Sequence, residues 1–132
     1  MSRYMLDTNI CIYVTKEMPM HLVERFNASA EQMCISSITY GELRYGVEKS
    51  ARRLENLRKL EEFAGRLEIF PFTTSAAEHY GQIRADLERA GTPIGNNDLL
   101  IGAHARSEGL ILVTNNRREF DRIPGLRVEN WL

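Results

Sequence analysis

The sequence predicts an α/β sandwich around a central, mostly parallel sheet. Short apolar runs alternate along the chain with longer runs of helical period. One of them, Leu110-Ile111-Leu112-Val113, is apolar at every position, as expected of a strand covered on both faces. Acidic residues fall where such strands hand over to helices. Strands alternating with helices of this length imply right-handed crossovers, and the ligand site of such a sheet lies beyond the carboxyl ends of its strands.

The elements follow in chain order. Residues 3–6 form a first strand that ends at Asp7, and residues 32–35 a second, bounded by Ser36-Ser37. A helical pattern runs over residues 39–66 with a break near Ser50; Leu43, Val47, Leu54, Leu57, Leu60 and Ala64 keep helical spacing. The Leu54, Leu57 and Leu60 stripe is expected in the core. Residues 67–72 form a third strand, and Pro71 assigns it to an edge or an end, because proline cannot donate to the ladder. Ser75 and Glu78 match a capping box for a helix with Ala76, Tyr80, Ile83, Leu87 and Ala90 on its apolar stripe, stopped by Gly91. After a loop at residues 92–96, a helix over residues 97–108 closes at Gly109. The Leu110 to Val113 strand, a Pro124-Gly125 turn and a last strand at residues 126–128 complete the chain.

The 132 residues suit a single domain spanning residues 1–132, and with 43% hydrophobic and 27% charged residues it can bury a core. No apolar run approaches the ~20 residues that cross a bilayer. The opening Met1-Ser2-Arg3-Tyr4-Met5-Leu6-Asp7 lacks the apolar stretch expected of a signal peptide. Cys11 and Cys34 lack metal spacing and are expected as buried, reduced thiols, which points to the cytoplasm. A net charge of -1 excludes binding of nucleic acid by bulk charge; any such contact must come from local patches or a bound cation.

Chemistry is carried by acids: Asp7 after the first strand, Glu42 early in the next long helix, Asp98 at the start of the late helix, and Asn115-Asn116 after the Leu110 to Val113 strand, with Glu119 a turn further on. Each has a structural explanation. Asp7 caps a helix, Thr39 and Glu42 form a capping box, Asp98 favours a helix dipole, and Asn115-Asn116 makes a turn. A parallel sheet, however, sets adjacent strand ends side by side, so Asp7, Glu42, Asp98 and Asn116 can converge although they are far apart in sequence. Packed carboxylates repel unless a cation neutralises them. An oxygen-only set suits Mg²⁺ or Mn²⁺, hard ions that use a few carboxylates and keep several waters.

Other residues fit less directly. His21, His79 and His104 have no zinc spacing and are assigned structural or surface roles. Arg44, Lys49, Arg52, Arg53, Arg58 and Lys59 make one helical region basic, serving either as a solvated face or as contacts to RNA or an acidic partner. Arg84 and Arg117, nearer the expected active face, are the candidates for phosphate contact.

Four segments together resemble one family. They are Met5-Leu6-Asp7-Thr8-Asn9; the run from Ile35-Ser36-Ser37 through Glu42 to Gly46; the run from Gly91 through Asn97-Asp98 to Ala105; and Leu112-Val113-Thr114-Asn115-Asn116-Arg117-Arg118-Glu119-Phe120. In order and spacing they resemble the motifs of PIN-domain ribonucleases of the VapC toxin family, over nearly the whole chain. The resemblance implies a PIN-like α/β/α sandwich. It implies Asp7, Glu42 and Asp98 as ligands of one or two Mg²⁺ or Mn²⁺ ions. Asn116 stands where many relatives carry Asp, Glu119 is a candidate for the missing carboxylate, and Thr8, Asn9 and Thr114 support the acids. It further implies a VapB-type antitoxin as partner, operator DNA contacted only through that antitoxin, a homodimer, and an RNA substrate, with initiator tRNA cut in its anticodon stem-loop as in enteric members.

Two rivals are set against this reading. A phosphatase that uses an Asp after its first strand needs a second Asp two residues on, where this chain has Asn9. A binding module without catalysis finds support only in Asn116.

Overall fold

The computed structural model describes residues 1–17 and 19–132. Five strands, β1 (Tyr4–Leu6), β2 (Met33–Ser36), β3 (Glu68–Phe70), β4 (Ile111–Val113) and β5 (Val128–Glu129), form one sheet in the order β3-β2-β1-β4-β5. Every neighbouring pair is parallel, so the expected mostly parallel sheet is parallel throughout. The helices are α1 (Thr8–Lys16), α2 (Met20–Ala28), α3 (Ser37–Glu48), α4 (Arg53–Ala64), α5 (Thr74–Arg89), α6 (Asn96–Ser107) and the single turn α7 (Arg117–Phe120).

β1 lies at the centre because its side chains are apolar on both faces. Met5 joins a core with Ile83, Leu87, Leu99 and Phe120 on the α5–α6 side, while Tyr4 and Leu6 join Ile10, Leu22, Phe26 and Trp131 on the α1–α2 side. The alternation is the strand's period of two. The chain grows outward from β1 through β2 to β3, then returns to the other side of β1 for β4. That reversal opens a crevice beyond the carboxyl ends of β1, β2 and β4.

Several expectations shift by a residue or two; others change in kind. The break near Ser50 is real, separating α3 from α4. β3 is one of the two edge strands, largely exposed, and Pro71 follows directly. Leu60 is buried, but Leu54 is 67% exposed, so the Leu54 to Leu60 stripe is only partly core. Neither capping box forms. Ser36 caps α3 by accepting from the Ile38 N–H, which places Thr39 inside the helix and fully buried and Glu42 on its second turn. Thr73, not Ser75, caps α5 through the Ala76 N–H. Both thiols are buried and unpaired. Among the described residues no helix is long and apolar enough to cross a membrane.

Candidate active site

Asp7 follows β1 directly and is 1% exposed. One carboxylate oxygen accepts the Ile10 N–H at 2.8 Å and so caps α1; the other accepts the hydroxyl of Thr114, the residue that follows β4. Thr114 Oγ1 also accepts from the Asn116 N–H at 2.9 Å, which leaves its own proton for Asp7. Burial pushes the Asp7 carboxyl above its usual range, the Thr114 and Ile10 hydrogen bonds pull it back in part, and the charge on Glu42 adds to the rise.

Glu42 extends from α3 with both oxygens engaged. Thr8 donates to Oε1 at 2.7 Å and Asn97 donates to Oε2 at 2.7 Å. Thr39 lies 3.3 Å from the Thr8 hydroxyl, and since Thr8 gives its proton to Glu42, Thr39 is the donor there. A short chain of hydroxyls therefore leads from the buried interior of α3 to the carboxylate.

Asp98 stands in the first turn of α6, and its side chain does not cap the helix. The Asn116 amide donates to it at 3.4 Å. Its carboxyl is pushed up to about 7, first by burial, then by a hydrogen bond shared with Glu119, then by the charges of Glu119, Asp7 and Glu42. The structure thus brings all four acids within electrostatic reach. Glu119 belongs beside Asp98; its neighbour Arg117 pairs with Asp121 at 3.1 Å instead.

A model of the PIN domain family matches residues 4–126. The chain is 55% identical to the tRNA(fMet)-specific endonuclease VapC of Salmonella typhimurium, covering 99% of each chain. It is 53% identical to ribonuclease VapC2 of Haemophilus influenzae over the full length of both. The crystal structure of DNA-bound VapBC from Salmonella typhimurium superposes with a TM-score of 0.97 at 55% identity, covering all of both chains. The chain belongs to the VapC branch of the PIN-domain family.

PIN-domain nucleases are in general divalent-metal dependent. In this PIN domain the donors gathered at the crevice are carboxylate and amide oxygens, and Asp98 carries the electrostatic strain that a cation would relieve. Among the described residues no three acids, histidines or cysteines already close into a cage. As hard oxygen donors, Asp7, Glu42 and Asp98 are the residues that would hold a divalent ion, which would keep several of its waters.

The crevice continues into a cleft of about 1270 Å³ between α1, α3, α4 and the start of α6. Thr8, Asn9, Glu42, Asn97 and Asp98 line one end of it; the rest is mostly apolar, with Ile12, Ile38, Leu43, Tyr45 and Leu60, and carries Lys16, Lys49 and Lys59 among these. Lys49 and Lys59 belong to the basic helical region of the sequence, whereas Lys16 stands apart from any basic run. Asn97 carried one signal, an amide next to Asp98 on an exposed first turn. Arg84 donates to Tyr80 at 2.8 Å and pairs with Glu88 at 3.2 Å, so like Arg117 it is engaged with its own helix rather than with the acids. The histidines stay outside the ring. His104 is fully buried with Nδ1 2.7 Å from the Ser36 hydroxyl, and His79 accepts from Arg106.

Proposed function

We propose that this chain is the toxin of a type II toxin–antitoxin pair, a Mg²⁺-dependent endoribonuclease that cuts initiator tRNA in its anticodon stem-loop. The observation that carries the reading is the convergence of Asp7, Glu42, Asp98 and Glu119, from four separate elements, on the crevice beyond β1, β2 and β4. The substrate is motivated by the printed specificity of the Salmonella relative for tRNA(fMet), at 55% identity over 99% of each chain.

Asp7, Glu42 and Asp98 hold the Mg²⁺, with Mn²⁺ as an acceptable substitute. Bound there, the ion supplies a polarised water nucleophile and stabilises charge on the phosphate. The chain's own groups do the rest. Thr114 and the Ile10 N–H fix Asp7 in one orientation, so a buried carboxylate faces the crevice without rotating away. Asp98, buried and facing Glu119, Asp7 and Glu42, keeps its proton up to about 7, so it is the carboxylate whose ionisation a bound cation would favour most. Glu119 restores the negative charge that Asn116 lacks, and Asn116 steadies Asp98 through its amide. Thr8 holds Glu42, and Asn9 lines the approach. Lys16 and Lys49 neutralise phosphates along the cleft, whereas Lys59 pairs with Glu55 of its own helix; such local contacts reconcile RNA binding with a net charge of -1.

A VapB-type antitoxin is the partner that keeps this activity in check in the cytoplasm. Operator DNA is reached only through that antitoxin, in line with the DNA-bound VapBC complex whose toxin resembles this chain. The homodimer expected from the family resemblance belongs to the same reading. Incubation of the purified chain with total tRNA and ribosomal RNA, followed by mapping of the cut ends, tests the substrate. Cuts confined to the initiator tRNA anticodon stem-loop are expected; intact initiator tRNA beside cleaved ribosomal RNA would refute the assignment.

A further inference from the structure

The first turn of α6 sends three consecutive side chains in three directions. Asn96 accepts from the Tyr80 hydroxyl at 3.1 Å, and Tyr80 accepts from Arg84 at 2.8 Å, so the turn is moored outward to α5. Asp98 turns inward to Asn116 and Glu119. Between them, Asn97 reaches over the cleft and donates to Glu42 Oε2 at 2.7 Å, joining residues 55 apart in sequence.

Glu42 needs such a hold. It is a long, half-buried side chain on the wall of an open cleft, and a glutamate loses much rotamer freedom when fixed. Thr8 restrains only one of its oxygens. A second donor on the other oxygen fixes the plane of the carboxylate as well as its place. Each oxygen keeps a free lone pair, since a carboxylate offers about four acceptor sites. Because Asn97 and Asp98 share one rigid turn, the bond also ties the spacing of Glu42 and Asp98 to helix geometry rather than to the freedom of a side chain.

We propose that Asn97 is a positioning residue, which with Thr8 holds the Glu42 carboxylate toward Asp7 and Asp98 and thereby sets the affinity of the acid ring for a divalent cation. The inference rests on the metal-ion reading above. It assigns to Asn97 no contact with RNA, although the residue is exposed and lines the cleft.

The test is Mn²⁺ binding to the full chain, followed by electron paramagnetic resonance of the free ion, alongside initiator tRNA cleavage and thermal melting. Asn97→Ala is expected to weaken Mn²⁺ binding about tenfold, as removal of a group that orients a ligand does. It should leave the KM for RNA and the melting temperature unchanged. In a Glu42→Ala background the same substitution should change nothing further. A raised KM with intact Mn²⁺ affinity would overturn the proposal and make Asn97 an RNA contact. A tenfold loss that persists without Glu42 would overturn it as well, since Asn97 would then act elsewhere. Wild-type protein that takes up no Mn²⁺ would refute the metal-ion reading itself, and this inference with it.

Discussion

Thr114 and Asp7 end neighbouring parallel strands, and the threonine hydroxyl donates to the one Asp7 oxygen that does not cap α1. The helix cap and the proposed metal-binding carboxylate are here the same residue. One oxygen of Asp7 is taken up by the helix cap, and the other, held by Thr114, is left for the proposed metal-binding role.

Thr114→Val keeps the shape of the side chain and removes the donor. It leaves a buried carboxylate oxygen unsatisfied, which costs about 1–3 kcal/mol. Urea unfolding should show that loss, and cleavage should fall about tenfold as Asp7 loses its orientation. Full activity with unchanged stability would show that the hydroxyl does nothing for Asp7.

The metal-free protein should be less stable at pH 8 than at pH 5. Asp98 keeps its proton up to about 7 in the folded chain, whereas the unfolded chain releases it near the usual 3.8. Between those values the native state binds more protons than the unfolded state, so stability falls as pH rises through that window and levels off above it. Asp7, also raised, acts in the same direction. Melting curves from pH 4 to 8 should show the decline, Asp98→Asn should flatten it, and added Mg²⁺ should restore stability at pH 8.

Neither cysteine should react with a thiol reagent while the chain is folded. Burial pushes the Cys34 thiol up to about 12 and the Cys11 thiol well above its ordinary value, so thiolate is scarce at pH 8. Ellman's reagent should find no reactive thiol in the native protein and both once urea is added.

Gly46→Ala should stabilise the fold by about 0.5–1 kcal/mol, because glycine inside a helix costs that much relative to alanine. A methyl group at Gly46 would meet nothing within 4 Å. The gain should appear in urea unfolding at unchanged slope. A loss would mean that the wall of the cleft closes on that position.

Much of the sheet was legible in the sequence because apolar runs such as Leu110 to Val113 leave a strand few other places to go. The two helices after β1 were harder to see. α1 is rich in Ile, Val and Thr, which disfavour helices, and it forms because Asp7 caps it and Ile10, Cys11 and Val14 bury one face. The misplaced caps share one cause. Ser36 and Thr73 lie upstream of the residues that matched the capping pattern, and the first side chain able to accept a bond starts the helix. Asp7, Glu42 and Asp98 stood out as a constellation because strand order in a parallel sheet sets where strand ends meet. The bond from Asn97 to Glu42 could not be foreseen, since it depends on how closely α3 and α6 approach.

Initiator tRNA cleavage by the wild-type chain and by Asp7→Ala, each with Mg²⁺ and with EDTA, decides whether Asp7 anchors a metal-dependent nuclease site. Circular dichroism should first establish that the variant folds, since losing the cap costs up to about 2 kcal/mol. Cutting by wild type with Mg²⁺, and by neither protein otherwise, is the predicted result. Equal cutting by folded Asp7→Ala, or by wild type in EDTA, would contradict a metal-ion site built on Asp7.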